Sequence, residues 1–151
     1  MSDNFFFRRM SIQAFPVRLT ARGEQMKYIL LVHHDEEVIE KLEATELQKL
    51  REESVQLANQ IHSSGKYLDA APLHPTSTAT CVRVREGKRL VTDGPFAETR
   101  EQLGGYFLIN AENLDEAIGI SGRIPGARIG TVEIRPVMEL PGLPDIGSKP
   151  E

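Results

Sequence analysis

The chain has no tryptophan, a single cysteine, no long apolar run and no excess of positive charge. Each shortage removes a class of protein. With Cys81 as the lone thiol, neither an internal disulfide nor a cysteine-built metal cage can form. A chain so poor in cysteine suits a reducing compartment, and a cytoplasmic location is expected. Membrane helices need roughly 18–20 consecutive apolar residues, and a run such as Tyr28 to Val32 falls far short. The start does not read as a secretory signal: Phe5, Phe6 and Phe7 precede Arg8 and Arg9, and no apolar stretch follows. The formal net charge of −4 argues against nucleic acid as a partner, because phosphate binding needs a clustered basic surface.

What is present suits one soluble α+β domain. At 151 residues with 40% hydrophobic content, the chain can close a single core. Charge is unevenly spread. Residues 1–25 carry Arg8, Arg9, Arg18 and Arg22 against Asp3 and Glu24, so the remainder is acidic. That leading segment shows neither helical nor alternating periodicity, and the first patterned residue is Met26. We read 1–25 as an over-extended start with Met26 the true first residue, the rivals being a disordered arm or a weak Arg-rich targeting segment.

From Met26 onward the pattern is regular. Tyr28 to Val32 is a strand apolar enough to be covered on both faces, followed by a polar loop from His33 to Ala44. Thr45, with Gln48 as its capping-box partner, opens a helix. Leu47, Leu50, Ser54, Leu57, Ala58 and Ile61 form its apolar stripe, and Gly65 ends it in a left-handed cap. Tyr67 to Leu73, bounded by prolines, reads as an edge strand. A hairpin follows, with Ala79–Arg85 and Arg89–Thr92 as its arms and Glu86-Gly87 as its turn. Gly105 to Ile109 is a second apolar strand. Asn113 caps a second helix that turns Leu114, Ala117 and Ile118 inward, and Thr131 to Val137 is the last strand. Beyond Leu140 a loose tail is expected, so the domain runs from 26 to 140 and a flexible end from 141 to 151.

This order is ferredoxin-like βαββαβ with an inserted hairpin, two helices on one face of a four-stranded antiparallel sheet. In the usual strand order the first and third strands are central, and those are the two that read apolar. The bare face needs a cover, for which a second copy packed sheet against sheet, a homodimer, is expected.

One segment carries a specific resemblance: Thr92-Asp93-Gly94-Pro95-Phe96-Ala97-Glu98-Thr99-Arg100-Glu101-Gln102-Leu103-Gly104-Gly105-Tyr106. It resembles the signature of the DGPF branch of the YCII-related proteins. The likeness extends to MKYILLVHHDEE before it and VEIRPVMEL after it, over roughly residues 26–140. The resemblance implies a dimeric α+β barrel, similar in form to small cofactor-free oxygenases and dehydrochlorinases. It also implies a His–Asp pair lining a pocket, one relative acting on a chlorinated hydroxyquinol, and frequent association with extracytoplasmic-function sigma factors.

The residues themselves suggest His74 and Asp93 for that pair. Asp93 ends a strand on a Gly-Pro turn, and His74 sits in the Pro-flanked loop Leu73-His74-Pro75. A carboxylate that orients an imidazole raises its basicity and gives an acid/base near neutral pH. The plainer reading has Asp93 capping its own turn and His74 solvated. Phe96 and Tyr106, with Phe107, are candidates for an aromatic pocket wall or for core. His33-His34-Asp35 is no metal site, since neighbouring strand residues face opposite ways; one of the two histidines is a candidate for a pocket mouth. His62 reads as a partner for the helix C-terminus. Gly104-Gly105 permits close backbone approach.

Two functions therefore stand side by side. One is a lyase or hydrolase needing no cofactor or metal, acting on a small cyclic or aromatic acid. The other is a non-catalytic module, either an accessory protein tied to a sigma factor or a small-molecule sensor.

Overall fold

A computed structural model describes residues 25–146 and 149–150. The reading of the leading segment as a mis-start lies, Gln25 apart, outside the described residues. Nine elements follow in order: β1 (Met26–His34), α1 (Glu36–Glu40), α2 (Ala44–Ser63), β2 (Tyr67–Pro72), β3 (Thr80–Arg85), β4 (Lys88–Asp93), β5 (Gln102–Ala111), α3 (Leu114–Gly122) and β6 (Gly130–Pro136). Short 3-10 turns span Thr76–Thr78 and Pro125–Arg128. No described helix is long and apolar enough to cross a membrane.

The main sheet has the order β2-β5-β1-β6, with every neighbouring pair antiparallel. This is the ferredoxin-like order, and the two apolar strands are the central ones. Alternation then sorts their side chains. Tyr28, Leu30, Phe107, Ile109 and Ala111 point to the helical face and are buried. Leu57 and Ile61 of α2 and Ala117 and Ile120 of α3 close over them. Full burial of a side chain such as Leu30 or Ile109 is worth roughly 1.5–3 kcal/mol, so these few residues dominate stability.

The helix ends show why the elements stop where they do. In α2 the cap is Glu43, whose amide donates to the Glu46 carboxylate in a capping box, two residues ahead of the Thr45 start expected from the sequence. Glu46 supplies the acidic first turn that Gln48 cannot. Gly65, at φ +75°, ends α2 as expected: its N–H donates to His62 and that of Lys66 to Ile61. Asn113 caps α3 by accepting from the Glu116 amide at 2.9 Å. The inward face of α3 is set differently from expectation. Ala117, Ile120 and Ser121 are buried, while Leu114 and Ile118 are half-exposed, because the stripe continues to Ile124 rather than back to Leu114.

Two segments differ more. His33 and His34 are not in a loop; they extend β1, paired with Thr131 and Gly130 of β6. The polar stretch that follows folds into α1, whose cap is Asp35 accepting from the Glu37 amide at 3.0 Å. The inserted hairpin β3–β4 forms its own two-stranded sheet. Its turn residues Glu86 and Gly87 both take positive φ, the handedness that matches the strand twist.

Candidate functional site

The site begins with an irregularity in the central pair. Val32 of β1 faces Gly105 of β5, but His33 faces Leu103, so Gly104 is an extra residue. Such a bulge re-aims nearby side chains. Here it opens a seat for an imidazole: a methyl group on Gly104 would overlap the ring of His34. Gly105 serves the neighbouring strand instead, since a methyl there would press on the backbone of Ala71 and Pro72. The expected close backbone approach holds for Gly105, whereas Gly104 makes room for a side chain.

His34 looks into a cavity of about 660 Å³ between the sheet and α2. Across it, Leu47, Leu50, Ser54 and Ala58 form the helical wall. Val32, Ala70, Gly105 and Phe107 form the floor, and Ile124, Gly126 and Ile129 close one side. The volume lies in the range of small-molecule sites, and the wall is mainly aliphatic. His34 is one of few polar groups on it, with His62 and Asn59 farther along α2 and Arg51 beside Leu50. His62 also packs edge-on against Tyr67, with ring centroids 5.9 Å apart.

Burial holds the His34 imidazole below the ordinary histidine value. The carboxylates of Glu36, Asp35 and Glu101 pull the other way without overcoming it, and His33 adds to the lowering. The ring is therefore neutral at neutral pH, with one nitrogen free to accept a proton or hydrogen bond. The corner around it is braced. Glu36 accepts from both the amide and the hydroxyl of Thr76, each at 2.8 Å, which ties α1 to the loop after β2. Asp35 lies 3.5 Å from Arg100. On the opposite face of the sheet, Tyr106 donates to Asp69 at 2.6 Å, and that bond pushes the phenol up. His33 sits 3.5 Å from Glu133 on that same face. Neighbouring histidines thus do face opposite ways.

The residues expected from the motif are placed as follows. His74 and Asp93 are both exposed, and no hydrogen bond among the described residues joins them. Their segments are nonetheless tied: Gly94 donates to the Ala79 carbonyl at 2.7 Å and Cys81 to the Gly94 carbonyl at 3.2 Å. Leu73 donates to the carbonyl of Gly104, the residue that seats His34. Phe96 is 81% exposed and lies outside the apolar cavity, Phe107 is buried at its floor, and Tyr106 borders it. His34, the side chain best placed for chemistry, was only a candidate for the pocket mouth. Its signal was the Gly104-Gly105 pair, but pairing that glycine with that histidine needs the strand register. Among the described residues, no group of three or more histidine, cysteine or acidic side chains is placed to hold a metal ion.

A family model for the YCII-related domain matches residues 26–141. Among curated proteins, one from Rhizobium meliloti (strain 1021), described as uncharacterized, is 34% identical over 114 residues. The match covers 74% of this chain and 92% of that protein.

Proposed function

Since this chain belongs to the YCII-related family, we propose that it binds a small cyclic or aromatic molecule in the cavity between α2 and the sheet, with His34 as the polar group that engages it. The observation that carries this reading is one half-buried, neutral imidazole on an otherwise mostly aliphatic wall. The wall receives a ring. His34 accepts an O–H, as from a phenol or enol, or takes a proton from carbon beside a carbonyl. The nearby carboxylates of Glu36, Asp35 and Glu101 stabilise the imidazolium that proton transfer leaves, so the corner suits a base whose charge appears only on reaction.

Thermal unfolding of the full chain with phenol, indole, benzoate or cyclohexanol tests the binding. A rising midpoint with increasing compound is expected. Ser54→Phe, which fills the cavity from α2, abolishes the rise while keeping the fold. No shift with any compound, or an equal shift in the filled variant, rejects the proposal.

A second reading keeps the His74–Asp93 acid/base pair. It is favoured by the bond that ties Gly94 to Ala79, which brings the ends of the two segments to one corner. The variants separate the readings. Once a turned-over compound is found, His34→Gln lowers turnover under the first, and His74→Ala and Asp93→Asn lower it under the second.

A further inference from the structure

The wall of the cavity between α2 and the sheet is mostly aliphatic, yet the permanent charge it carries has one sign. The chain is acidic, with a formal net charge of −4. Even so, no aspartate or glutamate among the described residues lines this hollow, and the permanently charged group that does is Arg51. Helical spacing puts it there. Leu47, Ser54, Val55 and Ala58 stand three, four or seven positions from Arg51 on α2, and all of them line the same wall.

The fold leaves this guanidinium without a counter-ion. A helical ion pair forms between residues three or four apart, and those positions hold Leu47, Gln48, Ser54 and Val55, none of them acidic. Among the described residues Arg51 enters no salt bridge, whereas Arg128 is held by Glu53 of the same helix at 2.7 Å. The field around His34 has the opposite sign, set by Glu36, Asp35 and Glu101. An anionic group is therefore repelled from His34 and drawn to Arg51. The hollow also exceeds one ring. A cavity of about 150 Å³ is enough to hold benzene, against about 660 Å³ here. Its wall follows α2 from Leu47 to His62, a helical rise of roughly 22 Å.

We infer that the cavity takes organic carboxylates whose apolar body is larger than a single ring, with Arg51 as the residue that selects the acid. This rests on the cavity reading given above and adds the charge, size and orientation of the ligand. The guanidinium is a planar fork that meets a carboxylate with two parallel N–H donors. The apolar body lies along Leu47, Val55 and Ala58, and an uncharged polar group of the ligand meets His34. Arg51 is exposed at the mouth, so water and salt screen the pair and its contribution to affinity is several-fold. The wall supplies the rest, and a neutral body of the same shape binds more weakly.

Calorimetric titration of the full chain at neutral pH with naphthoate and its neutral counterpart naphthylmethanol tests this. The acid should bind about five-fold more tightly than the alcohol, and more tightly than benzoate. Added salt should weaken the acid alone. Arg51→Gln brings the acid down to the level of the alcohol and leaves the alcohol unchanged, and Arg51→Lys recovers part of the loss. Lys49→Gln removes the same charge from the same helix outside the cavity lining and changes neither. Equal binding of acid and alcohol, a loss in Arg51→Gln shared by both, or an equal loss of the acid in Lys49→Gln overturns the assignment while the cavity stands as a site. Binding of neither compound overturns the assignment and the cavity reading together.

Discussion

The two ends of the layer between α2 and the sheet are built from one apolar stripe yet differ in what they enclose. Toward the C-terminal end of the helix, Leu57 and Ile61 join Leu30, Ile109 and Ala117 in the buried core. At the N-terminal end, Leu47, Leu50 and Ser54 face Val32, His34 and Gly105 across the cavity. The sheet accounts for the difference. Where β5 presents Ile109 the gap is filled; where it presents Gly104, Gly105 and Phe107 it borders the cavity. Small residues at one end of a strand have made room for a ligand without disturbing the packing at the other.

Substitutions that treat the two ends as equals break this comparison. The largest effect belongs to the sealed end. Ile109→Ala, at a residue with no exposed surface, should destabilise the fold by about 2–5 kcal/mol. Urea unfolding reads this as a lower midpoint at unchanged slope. Next comes Gly104→Ala, which forces the imidazole off its seat and should cost about 1–3 kcal/mol. The same substitution in a His34→Ala chain should cost far less, and a double-mutant cycle measures that coupling. Leu50→Ala at the hollow end should cost only about 1 kcal/mol, because its side chain already borders open space. A loss at Leu50 as large as that at Ile109 would mean the cavity is closed in solution.

The smallest effect is one of pH. The folded-state value of His34 is lowered, so the unfolded chain binds the proton more readily than the native one. Native stability attributable to this group is therefore full above the ordinary histidine value and falls as pH drops through it toward the lowered one. Comparing urea midpoints at about pH 7.5 and about pH 5.5, on either side of the neighbourhood of a free histidine, isolates the contribution. The wild-type chain should lose more on acidification than His34→Gln. A variant that loses as much would place the imidazole in solvent.

Much of this fold was legible in the sequence because periodicity reports faces. The α2 stripe, the edge character of β2, the hairpin turn and the central place of the two apolar strands all follow from spacing and turn chemistry. The site was less so, because it depends on register. Nothing local to His33-His34 distinguishes a strand end from a loop, and only the pairing of β1 with β5 sets His34 against Gly104. Similarly, Leu47 and Leu57 carry the same pattern, although one lines a cavity and the other fills the core. Periodicity marks which side of a helix is apolar; it does not say how far away the opposite wall stands.

The account rests most heavily on His34 as a shielded, neutral imidazole at the wall of a ligand cavity. NMR titration of its ring signals, assigned by comparison with His34→Gln and repeated with saturating phenol, tests that directly. The expected result is a titration midpoint below the ordinary histidine value, and a phenol-dependent shift of the His34 signals that Ser54→Phe removes. A midpoint like that of a solvated histidine, with signals indifferent to phenol, contradicts it.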